Sequence, residues 1–124
     1  FYSREEEEMR EIKFRVWSDF YDDWIESFCI KDGRVHLGNA VHHPGNQVND
    51  AILMQYTGLK DVHGKGIYEG DIVKNAFGEE YKIVWDEKRC QFIAVTTIED
   101  GSEWYQNVNR SLEVIGNIYE NRTK

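Results

Sequence analysis

The 124-residue sequence has few residues that could cross-link the chain or break its secondary structure, since it contains two cysteines and one proline. Cys29 and Cys90 lie far apart in the sequence, in short apolar stretches, and neither belongs to a CxxC pair. We therefore expect both to be buried free thiols in a reducing cytosol, with a long-range disulfide as the alternative for an exported protein.

Long apolar runs are also missing. No window approaches the ~18 apolar residues of a membrane span. The first residues, FYSREEEEMREIKF, do not have the basic and apolar regions of a signal peptide. These features predict a cytoplasmic protein with no membrane segment. We interpret residues 1–8, with four consecutive glutamates, as a tail or upstream extension before Met9.

Basic charge is scarce, because 15 Lys and Arg stand against 23 Asp and Glu, for a net charge of −8. A negative field repels phosphate backbones, so nucleic-acid binding is disfavoured. Aromatic residues are abundant, with four Trp, seven Tyr and six Phe. Burial of such side chains supports a folded core and argues against disorder.

The pattern of apolar residues predicts a mainly β fold, with an α+β fold as the alternative. Ile12, Phe14 and Val16 alternate with polar residues, which is typical of a half-buried strand. The segments WIESFCI and RVHL flank Asp32-Gly33 and predict a β-hairpin with a primed turn. Residues 38–50 hold the one proline and predict a loop. Beyond residue 50, short β-rich runs separated by turns predict a small barrel or sandwich.

The end of the chain allows a different element. Leu112, Ile115 and Tyr119 fit one face of a helix, so we expect a short helical turn followed by a last strand.

Catalytic and metal signatures are weak. Adjacent His42 and His43, with Asp50 and His63, could supply metal ligands, but their spacing matches no zinc pattern, and exposed histidines are the alternative. The chain has no Gly-x-Ser-x-Gly elbow, and its carboxylate pairs fall at predicted turns. We therefore predict no catalytic residue, no metal and no cofactor.

Glycines cluster in LMQYTGLKDVHGKGIYEGDIVK, residues 53–74. Their spacing fits neither a P-loop nor a dinucleotide-binding loop, and a strand follows where a helix would be needed. We interpret Gly58, Gly64 and Gly70 as turn residues with positive φ, and Asp71 as an acceptor for turn amides.

Three blocks carry a family resemblance: MREIKFRVW at 9–17, residues 53–74, and LEVIGNIYEN at 112–121. Together they resemble the YopX-like family of phage and prophage proteins from Gram-positive bacteria. The resemblance implies a β-rich fold whose C-terminal part is an SH3-like β-barrel. With the 38–50 loop as the boundary, we expect an N-terminal β-hairpin lobe at residues 9–50 and the barrel at residues 51–124. It brings no catalytic residues to carry over.

These observations predict a non-enzymatic protein-binding or assembly module that forms a homo-oligomer. The candidate interface residues are aromatic, and filling the core is the alternative role for each: Tyr68, Trp85, Trp104, Tyr105 and Tyr119. Two other functions stay open. One is an acidic inhibitor of a host nucleic-acid-binding enzyme, and the other is a metal-dependent enzyme.

Overall fold

The computed structural model describes residues 11–38, 40 and 44–120. This part of the chain is all β, with eleven strands and no helix. The strands are β1 (Phe14–Ser18), β2 (Asp23–Ile25), β3 (Phe28–Lys31), β4 (Arg34–Leu37), β5 (Ala51–Lys60), β6 (Gly66–Tyr68), β7 (Asp71–Lys74), β8 (Glu80–Asp86), β9 (Gln91–Thr97), β10 (Glu103–Asn107) and β11 (Glu113–Asn117). The prediction of a mainly β fold is confirmed. The tail predicted at residues 1–8 lies outside the described residues.

The strands form three antiparallel sheets. Four strands are ordered β2-β1-β5-β6, five are ordered β10-β9-β8-β7-β11, and β3 pairs with β4. In the described part of the chain no ladder joins β10 to β11. The SH3-like barrel therefore stays a prediction.

The segment WIESFCI, predicted as the first strand of the hairpin, contains parts of two strands, β2 and β3. Trp24 in β2 pairs with Trp17 of β1, whereas Cys29 in β3 pairs with His36 of β4. The chain thus changes partner between the two strands, which the alternating pattern alone cannot show. The turn of the β3–β4 hairpin has positive φ at both central positions, 52° at Asp32 and 75° at Gly33. This geometry is the predicted primed turn.

The helical turn expected near the end of the chain is wrong. Glu113–Asn117 forms β11, in which Val114 pairs with Val73 and Asn117 pairs with Asp71 of β7. A bulge between Val114 and Gly116 shifts the register. The bulge breaks the two-residue alternation, so the apolar spacing resembles that of a helix.

The long strand β5 ties the two halves of the sequence together. It pairs with β1 from Phe14–Gln55 to Ser18–Ala51 and with β6 on its other side. Backbone hydrogen bonds therefore link residues before and after the proposed boundary at residue 50. The division into two lobes stays a prediction.

Two groups of buried side chains form the core. The larger one packs β6 of the four-stranded sheet and the residue before β11 against the five-stranded sheet, and it contains Ile67, Val73, Ile83, Ala94 and Leu112. The smaller one joins Val16, Val35 and Val48. Val48 reaches it because the end of the 38–50 loop runs beside β4, where the Val48 amide donates to the Val35 carbonyl at 2.9 Å.

Candidate functional site

Gly70 occupies a crowded corner between β6 and β7. Its φ is +88°, and a Cβ atom placed on it would lie 2.9 Å from Met54 Sδ. Its amide donates to the Ile83 carbonyl at 2.9 Å, and its carbonyl accepts from the Ile118 amide at 3.0 Å. The corner thus connects β8 with the turn after β11, and only a residue without a side chain fits it.

Asp71 is the charged residue of this corner, and it is only 2% exposed. Its Oδ1 accepts from Arg15 Nη2 at 2.7 Å, and its Oδ2 accepts from the Tyr68 amide at 2.8 Å. Burial raises the pKa of Asp71, and this effect outweighs the opposing influence of Arg15 and the Tyr68 amide. The carboxylate fixes the β6–β7 turn and links β7 to β1.

The other two predicted turn glycines lie in different settings. Gly64 is in the β5–β6 turn with a φ of +84°, and its amide donates to the Asp61 carbonyl at 3.0 Å. Gly58 lies inside β5 with a φ of +93°. The pairing of β5 with β6 shifts register between Tyr56 and Lys60. Gly58 therefore lies at an irregularity within a strand and not in a turn between strands.

Asp61 is a buried acid that the sequence analysis missed. Its Oδ1 accepts from the amides of His63 at 2.9 Å and Lys65 at 2.8 Å, and its Oδ2 accepts from the Val114 amide at 2.9 Å. Burial raises the pKa of Asp61, but the three amide donors outweigh it and hold the pKa below the ordinary value. An aspartate that opens a glycine-containing turn is a signal for such a site.

Arg15 is the second residue that the sequence analysis missed. Its guanidinium lies 4.8 Å from the Trp24 ring centroid and 4.7 Å from that of Tyr68. It also donates to the Glu69 carbonyl at 3.2 Å. A buried Asp71 requires a cation, but alternation along β1 gives no indication of which one reaches it.

A cleft of about 900 Å³ opens beside this pair. Its wall includes Arg15, Asp71, Lys65, Trp24 and Glu120. Most of these polar groups bind one another, since Trp24 Nε1 donates to Glu120 Oε1 at 3.0 Å and Arg15 is paired with Asp71. These bonds between polar groups of the wall stabilise the fold.

Of the predicted histidines, His42 and His43 lie outside the described residues. His63 is exposed, and its Nε2 lies 3.0 Å from Glu113 Oε2. Within residues 11–38, 40 and 44–120, no group of three metal-ligating side chains comes together.

The two cysteines differ. Cys29 is buried in β3, as expected, whereas Cys90 is exposed. The expectation of burial is wrong for Cys90, because the residue ends the β8–β9 turn with a φ of 52° and does not continue into the strand.

The five predicted interface aromatics separate into two groups. Tyr68 and Tyr119 are half-buried. Tyr119 stacks on Trp17 at a centroid distance of 6.1 Å, and Tyr68 packs against Tyr56 at 5.4 Å. These two tyrosines belong to the packing around the corner and the cleft.

The other three aromatics are exposed on the five-stranded sheet. The exposed fractions are 45% for Trp85, 62% for Trp104 and 49% for Tyr105. Trp85 makes an edge-to-face contact with Phe92, and Arg89 lies 4.0 Å above the Tyr105 ring. Strands hold the backbone of these residues, so little backbone entropy remains to be lost on binding.

Trp104 and Tyr105 lie in β10, the strand at one end of the five-stranded sheet. We call residues 103–107 the β10 edge. All five pair with β9 in regular register, from Glu103–Thr97 to Asn107–Ile93. Because neighbouring residues point to opposite faces of a sheet, the edge carries one large aromatic side chain on each face.

A family model described as "YopX protein" matches residues 13–123 of the sequence. The chain belongs to the YopX family. The resemblance predicted from the three sequence blocks is therefore confirmed.

One solved structure with some likeness to this YopX family chain is the crystal structure of protein EF1440 from Enterococcus faecalis. The two sequences are 18% identical, and the match covers 92% of this chain and 97% of that chain with a TM-score of 0.48. A likeness of this size supports no argument about function. No curated protein matches the chain.

Across the described residues, no helix has the length and apolar character needed to cross a membrane.

Proposed function

We propose that this YopX family protein is a non-enzymatic protein-binding module that uses the β10 edge. The observation that carries the proposal is the exposure of Trp104 and Tyr105, at 62% and 49%, on opposite faces of one edge strand. Tyrosine and tryptophan are enriched at the energetic centres of protein interfaces. An edge strand adds unpaired backbone groups that can extend a sheet.

A phage or prophage origin and a cytoplasmic location complete the proposal. The family resemblance supports the first. Both cysteines are free thiols, and this supports the second, because thiols persist in reducing compartments.

Substitution at Trp104, compared with a matched control, tests the proposal. Phe77 is the control because it is 89% exposed and lies in the turn between β7 and β8, away from the edge. We expect immobilised wild-type protein and Phe77→Ser to capture the same partner from a lysate of the host bacterium. Trp104→Ser should capture at least tenfold less. Equal loss with both variants, or no capture by the wild-type protein, would contradict the proposal.

A second candidate is an acidic inhibitor of a host nucleic-acid-binding enzyme. It is favoured by the net charge of −8 and by the position of four of these acids, besides Asp71, in the wall of the 900 Å³ cleft: Asp22, Asp23, Glu26 and Glu120. An electrostatic partner should be lost when capture is repeated in ~0.5 M salt, because the screening length falls to a few Å. A partner that binds aromatic side chains should remain.

A further inference from the structure

Edge strands are normally protected against pairing with another chain, and the edges of this protein show how. Protection comes from short length, bulges, lysine, proline or a covering segment. Strands β2 and β6 are short, with three residues each, and β3 contains Lys31. The edge of β4 is covered by the part of the 38–50 loop that follows its proline. β11 has a bulge, and the Asp61 carboxylate binds its Val114 amide.

Among the residues that the structure describes, the β10 edge has none of these protections. It is five residues long, it pairs with β9 without a bulge, and its sequence, EWYQN, contains neither lysine nor proline. Its single charge is Glu103 at the start of the strand. The edge is thus regular, aromatic and nearly uncharged in a protein whose other edges are short, bulged, covered or charged.

The register shows which backbone groups face outward. The Ile98 amide donates to the Ser102 carbonyl at 2.9 Å, and these residues continue the β9–β10 pairing. Hydrogen-bonded and non-hydrogen-bonded pairs alternate along an antiparallel ladder, so Trp104 and Gln106 bond to β9. The amides and carbonyls of the three alternate residues point away from β9. These residues are Glu103, Tyr105 and Asn107. Of these groups, the Asn107 carbonyl already accepts one bond, from Asn109 Nδ2 at 3.2 Å, with its second lone pair left for another donor.

We propose that the β10 edge pairs in antiparallel fashion with the β10 edge of a second copy, with Tyr105 opposite Tyr105. This inference rests on the proposed function, because the same edge is the proposed protein-binding surface. A two-fold axis at Tyr105 places Glu103 opposite Asn107 of the other copy, and Trp104 opposite Gln106. No like charges face each other, and the outward amides of both copies meet outward carbonyls.

Two substitutions at the two-fold axis test this pairing. Tyr105→Pro removes an amide that faces outward, and a proline there interrupts no bond to β9. Tyr105→Lys places two ammonium groups directly opposite each other. Tyr105→Thr is the control because it keeps the amide and a good strand former.

Sedimentation velocity over a concentration series is the first measurement. We expect the wild-type mass to rise from 14.7 kDa toward twice that value. The proline and lysine variants should raise the dissociation constant at least tenfold, and the threonine variant should stay within about threefold. Circular dichroism should show that all variants are folded. A wild-type protein that stays monomeric, or equal association by all three variants, would overturn the pairing.

Hydrogen exchange provides a second readout that aggregation would not reproduce. The amides of Trp104 and Gln106 should be protected at every concentration, because they bond to β9. The amides of Glu103, Tyr105 and Asn107 should exchange fast in dilute protein and at least tenfold more slowly in concentrated protein. Concentration-independent exchange at these three amides would overturn the self-pairing.

The results separate this inference from the proposed function. If the protein is monomeric but still captures a partner that Trp104→Ser loses, the self-pairing is wrong and the binding function stands. If the protein is monomeric and captures nothing, both proposals are wrong.

Discussion

At the scale of single residues, Gly70 is under two constraints, a positive φ and a lack of space for a side chain. Gly78 is under the first constraint alone. Both have positive φ, +88° and +81°, but only at Gly70 would a Cβ meet another side chain, Met54. Gly78→Ala should cost about 1 kcal/mol from backbone strain alone. Gly70→Ala should cost about 2 kcal/mol more, because a methyl group is forced into a packed core.

Gly70→Val should go further and prevent folding, since the branched side chain adds bulk at the same point. Thermal and urea unfolding of the alanine and valine variants measure these effects. Equal costs for the two alanine variants, or a normal melting curve for Gly70→Val, would contradict the steric argument.

Two buried aspartates should influence the response to acid with opposite signs. The pKa of Asp61 is lowered on folding. As the pH falls through the unfolded-state pKa of about 3.9, the unfolded state therefore binds more protons than the folded state, and the free energy of unfolding decreases. The pKa of Asp71 is raised, so the folded state binds more protons and its contribution is lost as the pH rises through the folded value.

Asp61→Asn should therefore flatten the loss of stability between pH 6 and pH 3, and it should cost about 2 kcal/mol at pH 7 through weaker amide bonding. Asp71→Asn should make stability fall more steeply over the same decrease in pH, because it removes a group whose protonation stabilises the folded state. Urea midpoints over this pH range measure both slopes. Identical acid dependence in Asp61→Asn and the wild-type protein would contradict the role of its three amide donors.

At the scale of elements, the Arg15–Asp71 pair joins β1 of one sheet to β7 of another. The Arg15 side chain is 20% exposed and that of Asp71 is 2% exposed, so removing one partner leaves a poorly solvated charge. Arg15→Met should cost about 3 kcal/mol, because it leaves the Asp71 carboxylate buried without its cation. Asp71→Asn should cost less, because burial already raises the pKa of Asp71 and so favours its neutral form in the folded protein. The Arg89–Asp86 pair, with side chains 44% and 13% exposed, is the comparison, and Arg89→Met should cost markedly less than Arg15→Met.

A double-mutant cycle with Arg15→Met separates this coupling from other losses. We expect Arg15→Met and Asp71→Asn to be non-additive by at least about 1 kcal/mol, measured by urea unfolding. Additive effects would show that the two sheets are joined by something other than this pair.

The elements also show what sequence could and could not predict. The hairpin around Asp32-Gly33 was predictable because turn chemistry and strand pattern are local. The bulge in β11 was not, because its register depends on pairing with β7, far away in sequence. The partners of Arg15 and Asp61 were missed for the same reason, since residue type shows a need for a partner but not its position. Trp104 and Trp85 are exposed although an aromatic residue more often fills the core, and composition alone could not show which aromatics lie outside it.

At the scale of the whole molecule, a net charge of −8 on each copy opposes self-association. Salt should therefore strengthen the pairing of β10 edges. We expect the dissociation constant from sedimentation to fall severalfold between ~50 mM and ~500 mM salt, as screening shortens from more than 10 Å to a few Å. Binding of a basic partner to the acidic cleft should instead weaken as the salt concentration rises. Self-association that weakens at high salt would contradict the pairing of β10 edges.

The pairing of β1 with β5 has a consequence for the rate at which the chain folds. Phe14 meets Gln55, 41 positions away (55 minus 14), and Asp71 meets Asn117, 46 positions away (117 minus 71). The hairpins β3–β4 and β8–β9 close over only a few residues. Loop-closure entropy makes the distant pairings slow, so local hairpins form first. Until residues 51–55 have left the ribosome, β1 has no β5 to pair with, and the first sheet waits for the middle of the chain.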